Sequence, residues 1–191
     1  MSAAGLLRST RTSHGLSQRA LASVAKVHQP GVAAVESGSE DATVSRLEHL
    51  LRELGSQLTV LPTRRRPVWA AGEVVRHELD KGKHRSAWRE VIQLNDDLRG
   101  VDRATCVALA IAPPGPTGDV RFDALIAAVT DHALVNARLP RPLWLDDPAW
   151  TLKEPWDVEE IPALQAAARK ATPAAIRRHG IYLDRAVLAS V

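Results

Sequence analysis

The stretch of sequence that decides the fold of the N-terminal part is GLSQRALASVAKVHQPGVAAVESG, from Gly15 to Gly38. Ser17 is a good N-cap residue, and the apolar residues after it recur at helical spacing, at Leu21, Ala22 and Ala25. Proline fits only the first turn of a helix, so Pro30 indicates a second helix over residues 29–37 that ends at Gly38. The stretch therefore predicts two short helices joined by a tight turn.

Helical patterns on both sides extend this pair to a four-helix unit. A first helix around Leu6 and Leu7 ends near Gly15, and a fourth covers about residues 44–54. The fourth helix is predicted to bury its apolar residues, which are Val44, Leu47, Leu50, Leu51 and Leu54. In a compact bundle of this kind, the second of two helices joined by a short turn is the one that enters the major groove of DNA.

The quoted residues resemble the Xre/Cro-type helix-turn-helix of phage repressors and bacterial antitoxins, over roughly residues 3–61. The resemblance implies that Gln18 contacts the DNA backbone and that His28 and Gln29 read base edges, where glutamine can bind adenine through two hydrogen bonds. It also implies an ion pair between Arg11 and Glu36 that joins the first and third helices.

Two departures from the family pattern bear on recognition. Lys26 occupies a turn position where the family usually has glycine, and small residues replace long polar ones along the reading helix. Direct readout is therefore expected to be thin, with specificity that depends on DNA shape and backbone contacts. The predicted DNA-binding set is Ser17, Gln18, Arg19, Lys26, His28, Gln29, Gly31, Ala33, Ala34, Arg64, Arg65 and Arg66.

Residues 57–61, QLTVL, alternate in polarity and favour a β-strand that Pro62 ends. A lone strand leaves its backbone unpaired, and nothing else in the first 66 residues can pair with it. We expect it to pair with the same strand of a second copy, through Leu58, Thr59, Val60 and Leu61, as in antitoxins of the family that it resembles. Pairing within the chain, with residues 181–183, is the alternative. A homodimer would match the two half-sites of a palindromic operator on double-stranded DNA.

The distribution of charge indicates two parts with different roles. Residues 1–66 carry nine lysines and arginines against five acids, whereas the remainder is nearly neutral and holds all seven Trp, Tyr and Phe residues. Residues 1–62 are predicted to bind DNA, and residues 68–191 to bind a partner or sense a signal. The basic connector between them, residues 63–67, is expected either to follow DNA phosphates or to be a solvated linker.

Residues 68–191 are predicted to form a second all-α domain, so the fold class is mostly α. Helical patterns cover about residues 69–79, 86–98, 102–111 and 119–136, with shorter helices near 163–171 and 173–179. Between them, residues 139–162 contain five prolines and three tryptophans, Trp144, Trp150 and Trp156. We expect an extended segment whose rings pack on the helical core.

The composition excludes several classes of protein. With 191 residues, of which 45% are hydrophobic and 25% are charged, the chain is typical of a globular protein. The single cysteine, Cys106, excludes an internal disulfide and a thiolate metal cage. There is no apolar run of membrane-spanning length and no signal-peptide pattern, so a cytoplasmic protein without a membrane partner is expected.

No set of residues predicts catalysis, a metal or a cofactor. The seven histidines are scattered, and His132 is expected to be a hydrogen-bonded core residue. Prolines in the loop 113–119 remove the N–H groups that a phosphate cradle needs. The pairs Asp96–Asp97 and Asp146–Asp147 are expected to be solvated rather than to hold an ion. The protein is therefore predicted not to be an enzyme.

The pattern of residues 119–144, together with residues 175–181, resembles a C-terminal domain that is fused to Xre-type helix-turn-helix domains in high-GC Gram-positive bacteria. This resemblance implies a nucleotidyltransferase-like toxin as the partner. Its candidate contacts are Trp144, Trp150, Trp156, Arg177 and Arg178, although core packing is expected for at least two of the tryptophans.

The leading hypothesis is a dimeric transcriptional regulator that acts as autorepressor and antitoxin. One alternative is a repressor whose C-terminal domain binds a small effector in a pocket under the tryptophans. The other is an enzyme that the N-terminal domain targets to its site of action.

Overall fold

The computed structural model describes residues 2–188, and the chain is mostly helical, as predicted. Four helices form the N-terminal unit within the described residues: α1 (Ala3–Ser13), α2 (Gln18–Val24), α3 (Gln29–Ser37) and α4 (Val44–Glu53). These bounds agree with the predicted helices to within a residue or two.

The second lobe contains six further α-helices in the described part of the chain. They are α5 (Val68–Asp80), α6 (His84–Arg99), α7 (Arg103–Ala110), α8 (Val120–Asn136), α9 (Pro162–Ala171) and α10 (Ala174–Arg178). Two short strands, β1 (Trp156–Asp157) and β2 (Ile181–Tyr182), pair in parallel. Short 3₁₀ turns lie at Leu143–Asp146, Pro148–Trp150 and Arg185–Leu188.

Helices begin where the sequence supplies capping residues. Ser17 Oγ accepts a hydrogen bond from Ala20 N at 3.1 Å at the start of α2, as predicted. Pro30 lies in the first turn of α3, and Gly38 ends that helix in the left-handed conformation, with φ of 75°. Asp119 accepts from Arg121 N at 2.8 Å at the start of α8.

The four N-terminal helices enclose one hydrophobic core, in which Leu7, Leu21 and Val32 are fully buried. The core-facing stripe of α4 begins at Leu47. Val44 was predicted to belong to this stripe, and that prediction is wrong: the side chain is 68% exposed. It is the first residue of α4, one turn before the part of the helix that packs on the core.

A second hydrophobic core lies around α8. Helices α5, α6, α7 and α10 pack against it, so α8 is buried on nearly every side. This burial matches its sequence, which is apolar around most of the helix rather than on one stripe. Its fully buried residues include Leu125, Ile126, Val129 and Leu134.

The proline- and tryptophan-rich segment is less extended than predicted, because it forms two 3₁₀ turns before β1. Its rings do pack on the second core, as expected. Trp150 is buried and meets Trp144 edge-on, with ring centroids 5.4 Å apart. Trp144 Nε1 donates to the carbonyl oxygen of Ala110 at 3.0 Å.

The run 57–61 forms no strand within the described chain, and residues 57–60 make no backbone hydrogen bond there. The alternative pairing with residues 181–183 is wrong, because Ile181 and Tyr182 pair with β1 instead. Leu58 packs on the N-terminal core and Leu61 on the second core, so the run crosses from one to the other. Between them, Val60 is 94% exposed.

The two lobes touch where α1 packs against α5 and against the proline-rich loop 113–116. Gly115 N donates to Ser9 Oγ at 2.8 Å, and both residues are buried. A Cβ at Gly115 would lie 2.5 Å from Thr12 Oγ1, and one at Gly72 would lie 2.7 Å from Pro114 Cβ. The absence of a side chain at Gly115 therefore allows the loop to approach α1, and at Gly72 it allows α5 to pack on the same loop within the second lobe.

Candidate nucleic-acid interface

A buried ion pair fixes α3 to α1. Arg11 Nε and Nη2 donate to the two carboxylate oxygens of Glu36, at 2.6 and 2.7 Å. Arg11 Nη1 also donates to the carbonyl oxygen of Leu16, so the guanidinium joins α1, the loop before α2 and α3. Two parallel hydrogen bonds between planar groups are the strongest form of such a pair. The resemblance correctly implied this contact.

The same carboxylate orients a pair of glutamines on the surface. Gln18 Nε2 donates to Glu36 Oε2 at 2.9 Å, and Gln29 Nε2 donates to Gln18 Oε1 at 3.1 Å. Gln18 begins α2 and Gln29 begins α3, so the contact joins the two helices at their N-terminal ends. A continuous polar chain therefore leads from buried Arg11 to exposed Gln29.

The N-terminal end of α3 is open to solvent. His28, Gln29 and Pro30 are exposed, and no side chain among residues 2–188 forms a capping hydrogen bond at the start of the helix. Pro30 has no N–H, and Gly31 N donates to the carbonyl oxygen of His28 at 3.0 Å, so it is the positive end of the helix dipole that favours negatively charged partners here. Further along α3, Gly31, Ala33 and Ala34 are half-buried and carry no polar side chain, so few side chains on this helix can reach a base.

The remaining predicted residues of this unit lie around the turn. Ser17 and Arg19 are exposed at the start of α2, and the Ser17 hydroxyl serves as the cap of its own helix. Lys26 is exposed in the left-handed conformation, with φ of 54°, which explains why glycine suits this turn position. The turn therefore tolerates lysine at some cost in backbone strain.

Two of the three connector arginines are held by acids of α6. Arg65 Nη1 donates to Asp97 Oδ1 at 3.0 Å, and Arg66 Nη2 donates to Glu90 Oε2 at 2.6 Å. Arg64 is exposed. The connector thus lies along the second lobe, with Arg65 and Arg66 engaged in ion pairs.

Sequence reasoning missed Arg46, which lies beside α3. It belongs to the first turn of α4 and forms an ion pair with Glu40. An ideal Cβ at Gly31 would lie 2.6 Å from Arg46 Nη2, so the guanidinium occupies the space left by the missing side chain. The unusual glycine in the reading helix was the only sequence signal, and it did not point to a particular neighbour.

Sequence reasoning also missed a charged cluster in the second lobe. Asp131 on α8 is fully buried, and its oxygens accept from Arg141 Nε at 2.5 Å and Arg178 Nη1 at 2.6 Å. His179 Nε2 lies 3.3 Å away, and His179 Nδ1 is 2.8 Å from the carbonyl oxygen of Trp150. Residues so distant in the chain gave no local pattern.

The cluster is structural because protein groups occupy both oxygens of Asp131. Burial by itself raises the pKa of this carboxyl. The hydrogen bonds from His179 and Arg141, together with the charges of Arg141 and Arg178, outweigh burial and hold the pKa below its ordinary value. The ionised carboxylate therefore joins α8, the tryptophan-rich segment and α10.

His132, Asp97, Asp146 and Asp147 all contact other groups of the protein. His132 is half-buried rather than a core residue, and burial followed by the charge of Arg99 lowers its pKa. Asp97 was expected to be solvated, and that prediction is wrong, because its side chain is buried and pairs with Arg65. Asp146 pairs with Arg141, and Asp147 accepts from Ala149 N. Among residues 2–188, no group of three or more His, Cys, Asp or Glu side chains is placed to hold a metal ion.

The predicted partner contacts of the second lobe are mostly packed against it. Trp150 is buried, and Trp144 and Trp156 are half-buried against the core. Arg178 pairs with Asp131, and Arg177 Nη2 donates to the carbonyl oxygen of Thr172 at 3.1 Å. Core packing therefore applies to all three tryptophans. Within the described residues, none of the helices is long and apolar enough to cross a membrane.

Comparison with protein-family models matches residues 7–61 to the helix-turn-helix family. No curated protein and no solved structure gives a significant match to the chain. The matched region contains α2, α3, the turn between them and α4, and it ends before the connector. Residues 7–61 are therefore an Xre-like helix-turn-helix unit, the kind of domain through which transcriptional regulators bind DNA.

Proposed function

We propose that this protein is a sequence-specific DNA-binding transcriptional regulator. The observation that carries the proposal is the polar chain that ends at Gln29 on the exposed end of α3. An amide held in place loses less conformational freedom when it binds, and glutamine can form two hydrogen bonds with adenine. The other predicted DNA-binding side chains around the turn then position the unit on the backbone.

The experiment begins with selection of binding sites from a random duplex library by the full chain. Affinity is then measured by fluorescence anisotropy on the selected duplex and on a random duplex of equal length. Gln29→Ala should weaken binding to the selected duplex about tenfold and leave the random duplex nearly unaffected. Gln93→Ala, at an exposed glutamine on α6 of the second lobe, is the control. Failure to enrich any sequence, or an equal loss on both duplexes, would contradict the proposal.

The connector arginines are expected to contribute little to DNA binding, because Arg65 and Arg66 lie along α6 of the second lobe, whereas Arg46 lies against α3. Replacing residues 64–66 by alanine should reduce the salt dependence of binding by about one phosphate contact or less. A loss equivalent to three contacts would instead place the connector along the DNA backbone.

We propose that the regulator is a homodimer joined through residues 57–61. The support is the unpaired backbone of residues 57–60 and the exposure of Val60, which leave these backbone groups available to pair with a second copy. Val60→Lys should raise the dimer dissociation constant at least tenfold in light scattering, because the charge must be buried in the pair. Val24→Lys, at another exposed valine, is the control. Equal behaviour of the two variants would exclude this strand as the interface.

We propose that the regulator is also the autorepressor and antitoxin of a toxin–antitoxin pair, not an enzyme. The selected site should then occur upstream of its own gene, and the neighbouring gene should encode a nucleotidyltransferase-like toxin that the full chain binds. The support in the second lobe is α9, whose only buried residue is Ala168 and whose Leu164 is exposed beside Ile161.

Calorimetry with the neighbouring gene product tests the antitoxin role. Leu164→Glu should weaken its binding at least tenfold, since a charge replaces an apolar contact. Leu143→Glu, at an exposed leucine elsewhere on the lobe, is the control. Absence of binding by the original chain would contradict the antitoxin role, and equal binding by both variants would exclude α9.

A cleft between the lobes favours the effector-binding repressor as a second candidate. Its volume is about 580 Å³, and Arg8, Arg66, Trp69 and Arg76 are among the residues that line it. It does not lie under the tryptophan-rich segment, where the effector pocket was expected. Glu36 also lines this cleft, so a bound molecule would lie beside the residue that orients Gln18. A small molecule that releases the selected duplex from the original chain but not from Trp69→Ala would support this candidate.

A further inference from the structure

Arg46 of α4 lies against α3, at a point where the reading helix has no long polar side chain of its own. We propose that Arg46 binds a DNA phosphate beside α3, through the space that Gly31 leaves open. This inference rests on the proposed DNA-binding function. It adds to the interface a residue from outside the turn and the reading helix, and it gives Gly31 a specific role.

The position of the guanidinium follows from the packing of α3 and α4. Arg46 Nη2 lies so close to Gly31 that an ideal Cβ there would be 2.6 Å away. Arg46 is only partly exposed and is held by Glu40 in the loop between these helices. The group therefore lies against the first turn of α3 in a defined place.

Two polar side chains then flank the exposed end of α3. Gln29, the first residue of the helix, contacts Gln18 of α2. Gly31 lies two residues later, which is about 200° around a helix, and contacts Arg46 of α4. A helix in the major groove has a phosphate chain on each side. Gln18 is therefore placed to contact the phosphates on one side of the groove, and Arg46 to contact those on the other side.

The charge balance favours this contact. The reading helix contains no basic residue, since α3 reads QPGVAAVES. Arg46 is thus the cation that contacts it from the α4 side. Its partner Glu40 is nearly half exposed, and an exposed pair of this kind is weak, so exchanging the carboxylate for a phosphate costs little.

The test compares Arg46→Ala with Arg52→Ala, which removes the same charge from the exposed last turn of α4. Arg46→Ala should weaken binding about fivefold to tenfold on both the selected and the random duplex, and reduce the salt slope by about 0.9 per protomer. Arg52→Ala should change neither. Equal effects of the two variants would overturn the inference.

Gly31→Ala tests the space itself, because the added methyl group must displace the guanidinium. Alanine is a better helix former than glycine, so the melting temperature should rise by about 2 °C. DNA binding should nevertheless weaken about as much as in Arg46→Ala, and Gly31→Ala should have no further effect in the Arg46→Ala background. An equal loss in both backgrounds would exclude Arg46 as the cause.

The two proposals fail in different ways. If the original chain selects a sequence and Gln29→Ala loses specificity, DNA recognition stands whatever Arg46 does. If Arg46→Ala then binds like Arg52→Ala, the phosphate contact alone is wrong.

Discussion

Replacing Glu36 by glutamine should both destabilise the fold and loosen the DNA-binding surface. Glu36 is 4% exposed and accepts hydrogen bonds from Arg11 and Gln18. Breaking a buried ion pair by removing one charge costs about 3–5 kcal/mol. Glutamine keeps one acceptor oxygen, and Arg11 keeps its bond to Leu16, so we expect the lower end, about 3 kcal/mol.

Urea denaturation at a fixed protein concentration measures this cost, since the proposed dimerisation would make the stability depend on concentration. The matched control is Glu90→Gln, which breaks the partly exposed pair with Arg66 and should cost less than about 1 kcal/mol. In folded Glu36→Gln, Gln18 is no longer held by the carboxylate, so binding to the selected duplex should also weaken about threefold to tenfold. If Glu36→Gln costs no more than Glu90→Gln, the buried pair does not hold α3 to α1 as we infer.

Three further predictions concern the second lobe and its junction. The pKa of Asp131 in the folded state lies below its ordinary value of 3.8, so the ionised carboxylate stabilises the fold above pH 3.8, and this stabilisation is lost as the pH falls through the lowered pKa. Asp131→Asn should therefore lower the urea midpoint at pH 7. It should also make the decrease of the urea midpoint in acid less steep. Gly115→Ala should cost about 1–3 kcal/mol in urea denaturation because its methyl group meets Thr12, and Thr12→Ala should recover part of that loss. Burial raises the pKa of the Cys106 thiol, so labelling by a thiol reagent at pH 8 should be slow until urea unfolds the chain.

Specific outcomes would contradict these predictions. An unchanged acid response in Asp131→Asn would show that other carboxyl groups set the pH dependence. Full stability of Gly115→Ala would mean that the loop and α1 separate easily. Rapid labelling of native Cys106 would indicate local opening near α7.

The helices of the N-terminal unit were predictable because their signals are local. Ser17 caps α2 by accepting a hydrogen bond from Ala20 N in its first turn. Pro30 fits a helix only in its first turn, and Gly38 ends α3 because glycine readily adopts the left-handed conformation. The same holds for the start of α8 at Asp119. The strand predicted at residues 57–61 does not form within the described chain. A strand needs a paired neighbour, and the local sequence does not determine which segment that neighbour is.

The candidate site was only partly predictable for the same reason. Gln18 and Gln29 belong to a recognisable spacing, whereas Arg46 contacts Gly31 from another helix. A residue pattern reports which positions share a helix face, but it does not report which side chain fills the gap beside a glycine. That gap is set by how α3 and α4 pack.

The sequence by itself determined the mostly α fold, the helix bounds and the helix-turn-helix spacing, since capping, periodicity and turn chemistry act over a few residues. Only the tertiary structure decided which charges meet. Folding brings Asp131 into contact with Arg178 and His179, which are some 47 residues away in the sequence. It also places the connector residues Arg65 and Arg66 in ion pairs with acids of α6. Electrostatic partners depend on distance in space, and the packing of the hydrophobic cores sets that distance.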